Sequence, residues 1–236
     1  NEPAIIKTAD LVIMESTDGD RCHRSWEDTR KEMAEVLTAV TNSKGNILIP
    51  AFAVGRTQEI LYMFAKYYDE WGLDRWQIFL DSPLAIKATE IYRRHLNCYD
   101  KQAKQFWGEC DNPFMLPELH ITREAEKSMA INRIHSGAMI IAGSGMCDGG
   151  RIRHHLKHNV WRDDCHIIFV GFQVEGTLGH ALVNGARTII LWGETVEVNA
   201  TIHPIDGFSD HADPGGLLQW YRGCKKRPPR GLLPVA

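Results

Sequence analysis

His211 lies in the run Gly207-Phe208-Ser209-Asp210-His211-Ala212-Asp213-Pro214, a loop between a strand-like segment and a short helix-like one. A loop histidine flanked by carboxylates, here Asp210 and Asp213, suits general acid or base work, because a carboxylate partner holds the imidazole in one tautomer. The same run also reads as a plain helix start, with Asp213 as the N-cap and the histidine a bystander. At the other end of the chain, Glu15 closes the apolar run Leu11-Val12-Ile13-Met14. A carboxylate at the carboxyl end of a parallel strand is a common site position, and a solvated strand end is the ordinary alternative.

Three glycine-bearing turns could hold a ligand. The longest, Ala142-Gly143-Ser144-Gly145-Met146-Cys147-Asp148-Gly149-Gly150-Arg151, follows a strand and leads into a helix. Glycines let a backbone come close to a ligand, and the amides at a helix start favour a phosphate. Ser144, Gly145 and Arg151 are the candidate contacts, and a tight turn with no ligand explains the spacing equally well. The run matches neither the dinucleotide Gly-x-Gly-x-x-Gly pattern nor a Gly-x4-Gly-Lys-Ser/Thr phosphate loop. A second turn, Pro50 to Thr57, offers Thr57 as an N-cap and Arg56 as a phosphate contact or as a partner of Glu59 or Asp81. The third is Gly171 to Thr177. Three such turns at one sheet edge would build a crevice.

Histidines 154, 155 and 158 share one predicted helix with Arg151, Arg153 and Lys157. His154 and His158 are four apart and on one face, a spacing that can bind zinc, yet the Glu of a His-Glu-x-x-His site is missing. A solvated basic face, or one touching RNA backbone, is the simpler reading.

These residues must be positioned by alternating strands and helices. Apolar runs at 11–14, 47–49, 78–80, 119–122, 139–141, 167–170, 188–192 and 196–202 read as strands. Helical spacing marks 57–71, 85–96, 123–134, 152–160 and 214–221. A further helix begins at Ser25, with Trp26, Met33, Val36, Leu37 and Val40 on one face and Gly45 as its end. Residues 97–117 read as irregular. The pattern is that of an α/β chain with a mostly parallel sheet between helices. A formal net charge of -3 over 236 residues provides no general attraction for nucleic acid, so any RNA contact must be local. No apolar run is long enough for a membrane span. The six cysteines contain no Cys-x-x-Cys pair, which argues against a cysteine zinc site and for a reducing, cytoplasmic setting.

Taken together, the segments 9–21, 49–62, 81–96, 141–156, 171–182 and 208–213 resemble, in order, the β-CASP branch of the metallo-β-lactamase superfamily. That branch includes prokaryotic RNA nucleases and the endonuclease of mRNA 3′-end cleavage. The resemblance implies a β-CASP domain at 19–205, flanked by pieces of a metallo-β-lactamase αββα fold at 1–18 and 206–236. The family's acidic residue in Glu-Ser-Thr falls on Glu15, and its histidine in Ser-Ala-His-Ala-Asp falls on His211. The two are expected to meet, with Glu15 orienting His211 toward the scissile phosphate. RNA is the implied substrate and zinc, as two ions, the implied cofactor.

Two departures matter. The upstream His-x-His-x-Asp-His zinc motif is missing, as is the last histidine expected after Arg230. The chain therefore reads as a fragment that is inactive alone, and metal-ligating residues in it are none. Asp18 and Asp210 stand where the family has Tyr and Ala, and both add negative charge near the phosphate position. The open pieces of lactamase sheet favour association, such as a homodimer. Two other readings compete: a non-catalytic RNA-binding or scaffold module, and an unrelated doubly wound nucleotide-binding domain.

Overall fold

Short runs that are apolar along their whole length, such as Ile47-Leu48-Ile49 and Ala138 to Ala142, bury both faces and so pair as a parallel sheet rather than an alternating one. The computed structural model describes residues 4–6, 8–22, 24–41, 44–109, 114, 116–205, 207–208, 211–223 and 231–235. In chain order these contain β1 (Leu11–Glu15), α1 (Trp26–Val40), β2 (Ile47–Pro50), α2 (Arg56–Lys66), β3 (Gln77–Leu80) and α3 (Pro83–Arg94). Then come α4 (Lys101–Glu109), β4 (Leu119–Ile121), α5 (Ala125–Ile131), β5 (Ala138–Ala142), α6 (Ile152–Asn159) and β6 (His166–Phe169). The chain continues through α7 (Leu178–Val183), β7 (Thr188–Leu191), β8 (Glu194–Glu197), β9 (Thr201–Pro204), α8 (Pro214–Arg222) and β10 (Gly231–Val235).

Among the described residues six strands form one sheet in the order β4-β3-β5-β2-β6-β9, every neighbouring pair parallel. Successive side chains of a strand point to opposite faces. On one face Ile47, Ile49, Ile78 and Met139 pack with Met33 and Leu37 of α1 and Ile60, Leu61 and Phe64 of α2. On the other, Leu48, Ile140, Ile167 and Phe169 pack with Ile152 and Leu156 of α6 and Leu182 of α7. Each such side chain, fully buried, contributes roughly 1.5–3 kcal/mol, so this body sets the stability of the whole.

The chain ends meet in a second, smaller sheet. β1 runs parallel to β10 with Glu15 level with Val235. It covers little apolar surface: Leu11, Ile13 and Leu233 are 53%, 64% and 52% exposed. Two strands alone are marginal in water, and the return segment is held mainly by Phe208, which is buried in the core under the edge of Trp26 at 5.9 Å. Gly207 allows that approach, because a Cβ there would lie 2.0 Å from the Thr29 hydroxyl.

Several local readings are corrected. Helix α1 starts at its Ser25 cap but ends at Val40, not Gly45. Gly45 is instead a packing glycine whose Cβ would strike the Asp164 carbonyl at 2.0 Å. Trp26 is exposed rather than buried with Met33, Leu37 and Val40, and it meets the core only edge-on at Phe208. Gly55, not Thr57, caps α2, and the Thr57 hydroxyl donates back to the Phe52 carbonyl at 2.7 Å. Residues 101–109 are helical, and 196–202 is split between β8, which turns back on β7, and β9, which joins the main sheet. Helix α7 has only six residues and carries a glycine, too little to show helical spacing.

At the sheet edge, His166 of β6 and His203 of β9 stack with Nδ1 and Nε2 3.0 Å apart. Burial, then the neighbouring His203, pushes His166 down to about 4, and burial also lowers His203. The folded state thus prefers both rings neutral. Stability is complete above the ordinary value near 6.5 and falls as pH drops from there towards 4. Urea melts at pH 7.5 and pH 5 should differ by on the order of 1–3 kcal/mol, and His166→Gln should remove most of that difference.

Candidate active site

Strand β1 ends on Glu15, and the loop from β9 to α8 carries His211. Glu15 Oε2 lies 3.2 Å from His211 Nδ1. The Ala212 amide, 197 positions away in sequence, donates to Glu15 Oε1 at 3.1 Å, and the Thr17 amide donates to Oε2 at 3.0 Å. Burial works against the charge on Glu15, but the Thr17 and Ala212 amides, with His211 beside them, hold its carboxyl below the usual carboxylate range. The side chains are 40% and 50% exposed. An ion pair that wet adds little stability, so its consequence is orientation: Glu15 engages Nδ1 and fixes the ring. Asp213 is the α8 N-cap, accepting the Gly216 amide at 2.8 Å, and so sets the start of the helix next to the histidine.

His211 and Thr17 line a cleft of about 600 Å³ at the carboxyl edge of the main sheet. All three glycine-bearing turns reach it: Pro50 to Arg56, Gly145 with Met146, and Gly171 to Glu175. The turns interlock. The Phe52 ring rests on Gly145, where a Cβ would come within 3.0 Å of it. Buried Gln173 donates to the Gly145 carbonyl at 3.1 Å, the Gly179 amide donates to Met146 O at 2.9 Å, and Leu178 N donates to Asp148 Oδ1 at 3.0 Å. Gly150, with φ of 73°, closes the long turn so tightly that a Cβ would meet the Gly143 carbonyl at 2.2 Å. The cleft wall is mainly apolar, with Phe52, Val54, Val170, Phe172 and Val174.

The candidate contacts divide. Arg56 lines the cleft, pairs with Glu59 and lies over the Phe208 ring at 5.8 Å. Gly145 lines the cleft as bare backbone. The Ser144 hydroxyl accepts the Gly149 amide at 3.3 Å inside its own turn. Arg151 is turned away from the cleft: its guanidinium donates to Asp81 at 2.6 Å and to the Thr122 and Arg123 carbonyls. Asp18 is buried, 3.8 Å from Arg21, while Asp210 lies outside the described residues. Arg21 is a residue that sequence reasoning passed over; it lies 4.8 Å above the ring of Phe172 in the cleft wall. Its signal was the i,i+3 spacing from Asp18.

Asp81 organises the turn from below. It is fully buried and accepts from Ser128 at 2.6 Å, His155 Nε2 at 2.7 Å and Arg151. Burial would raise its carboxyl, and the contacts from His155, Ser128 and Arg151 outweigh that and hold it below the usual carboxylate range. Of the α6 histidines, His155 is thus the buried one, while His154 and His158 are exposed and do not converge on a common point with a third ligand. Among the described residues no three His, Cys, Asp or Glu side chains are arranged to hold a metal ion. Glu15, already holding two amides and His211, does not supply one either.

Residues 57–182, just over half of the chain, match the Beta-Casp domain. The chain belongs to the β-CASP family. Residues 195–236 of this β-CASP chain match the Zn-dependent metallo-hydrolase RNA specificity domain. A ribonuclease of Thermus thermophilus is 38% identical over 94% of the chain and 51% of its own length. Transcription termination factors FttA of Pyrococcus abyssi and Methanocaldococcus jannaschii are 34% and 31% identical, over 97% and 98% of the chain and 37% and 38% of their own lengths. The chain therefore spans about half the length of the first relative and little more than a third of the others. The α/β architecture with a parallel sheet between helices is the one that the family resemblance implied. No helix among the described residues is long and apolar enough to cross a membrane.

Replacing Asp81 by Ala takes from Arg151 its carboxylate partner and leaves buried His155 Nε2 without its acceptor. The loss should be about 3 kcal/mol or more, read as a lower urea midpoint at unchanged m-value.

Proposed function

We propose that this chain is the β-CASP portion of a zinc-dependent ribonuclease that hydrolyses RNA phosphodiester bonds in processing or decay. The contact of Glu15 with His211 at the mouth of the three-turn cleft carries the reading. In it, residues 1–18 and 206–236 belong to the lactamase-type part and 19–205 to the β-CASP domain. His211 faces the scissile phosphate and donates a proton or hydrogen bond through Nε2 to the leaving oxygen, while Glu15 at Nδ1 fixes the ring. Arg56 and the Gly145 backbone contact the substrate directly. Ser144 and Arg151 act through the turn that they hold, and the apolar wall receives bases. Zinc, as two ions, is held by ligands outside this chain. A cytoplasmic setting and a homodimer that covers the open face of Leu11, Ile13 and Leu233 complete the reading.

The second reading is a non-catalytic RNA-binding or scaffold module of the same superfamily. One comparison separates the two. In a protein extended to the length of its relatives and loaded with zinc, His211→Ala should slow RNA cleavage by about 100-fold or more. RNA affinity should change little. Unaltered cleavage would sink the role given to His211. RNA binding without any cleavage by the parent would establish the non-catalytic reading.

A further inference from the structure

Helix α6 is left over once the cleft and the Glu15–His211 pair are described. It carries Arg153, His154, Lys157 and His158 and no acidic residue, in a chain of formal net charge -3. The tip of the β7–β8 hairpin lies against it. There Trp192 has φ of 50°, in the left-handed region that turns ordinarily give to Asn, Asp or Gly because a Cβ crowds the backbone. Its indole is also 49% exposed. Turn chemistry and apolar burial both disfavour a tryptophan at this position.

Its surroundings are specific. The His154 ring lies 4.6 Å from the indole at a tilt of 32°. The Arg153 guanidinium is 4.8 Å from the ring centroid and the Lys157 ammonium 6.0 Å. Lys157 also reaches Glu194 at 2.9 Å, which ties the hairpin to the helix. Arg153 Nε is buried without a hydrogen-bond partner among the described residues. Its Nη1 donates to the Asp148 carbonyl at 3.4 Å. Among the described residues neither Arg153 nor His154 pairs with a carboxylate. Arg153 thus lies against an aromatic surface without a carboxylate partner among the described residues, and Lys157 is shared between that surface and Glu194. Aromatic faces beside cations take stacked bases and the phosphates that join them, without reading sequence. A protein surface built to dock an acidic partner would not need the indole to stay half open.

We propose that Trp192, with Arg153, His154 and Lys157 around it, is a stacking platform for single-stranded RNA, outside the cleft that His211 lines. The choice of RNA rests on the function proposed above, and the platform is tested by binding alone. The probe is a fluorescently labelled single-stranded RNA, titrated with the chain in the presence of a chelator so that cleavage plays no part. Trp192→Ala should weaken binding by about fivefold or more, and Trp192→Phe, which keeps a stacking face, by about twofold at most. Arg153→Gln should lower the slope of log affinity against log salt by about one. Thermal melts of each variant separate lost binding from lost folding, and Trp192→Phe serves where the alanine variant is unstable.

Unchanged affinity of a folded Trp192→Ala chain overturns the platform, as does a parent chain that binds no single-stranded RNA. If Phe52→Ala in the cleft weakens binding and Trp192→Ala does not, the platform fails and the cleft reading stands. If Trp192→Ala weakens binding while His211→Ala leaves cleavage intact in the longer protein, the platform stands and the catalytic reading fails.

Discussion

Every strand of the main sheet runs in the same direction, so every strand delivers its carboxyl end, and the turn that follows it, to one edge. The turns after β2, β5 and β6 must then share a confined space. Gly145 and Gly150 make this possible. A side chain at 145 would displace the Phe52 ring, and one at 150 would collide with the Gly143 carbonyl. Gln173 and Asp148 then fasten the turns to one another. The cleft is a consequence of parallel pairing plus these close approaches.

Two carboxylates mark the ends of strands, and their surroundings separate their roles. Asp81, just past β3, is sealed from water and satisfied by Ser128, His155 and Arg151. A buried charge with three donors is scaffold: moving it would leave its partners unpaired. Glu15, at the end of β1, is open to solvent and held by two amides and one imidazole. Its bond to His211 adds little to stability but sets where the imidazole points. One carboxylate holds the long turn in place and the other orients a group at the cleft.

The small sheet of β1 and β10 stands apart from the main one in its energetics. Its Leu11, Ile13 and Leu233 remain exposed, and its junction with the body depends on Phe208 and on the close approach of Gly207 to α1. A chain spanning about half of its ribonuclease relative carries this open face, and the Zn-dependent metallo-hydrolase RNA specificity match falls on its carboxyl-terminal part. The pairing of the two terminal segments still sets Glu15 beside His211.

Much of this was legible in sequence because it is local. Uninterrupted apolar runs announced β2, β3, β5 and β6, and the helical spacing of Ile60, Leu61 and Phe64 announced α2. The order of the glycine turns pointed to one crevice, while the pairing of Glu15 with His211, distant in sequence, was implied only by the family resemblance of their motifs. What was not legible depends on partners distant in sequence. Gly45 looks like a helix end until the Asp164 carbonyl is found against it. Arg151 looks like a phosphate ligand until buried Asp81 claims it. His154 and His158 share a helix face, but it is His155 that turns inward, because the helix packs its other side on the sheet. The sequence by itself determined the element types, the parallel class of the sheet and the residue types at its edge, since these follow from periodicity and backbone sterics. Which polar groups are buried, which are paired and which face the cleft was decided only by tertiary packing, because burial and hydrogen bonding depend on neighbours that chain spacing does not specify.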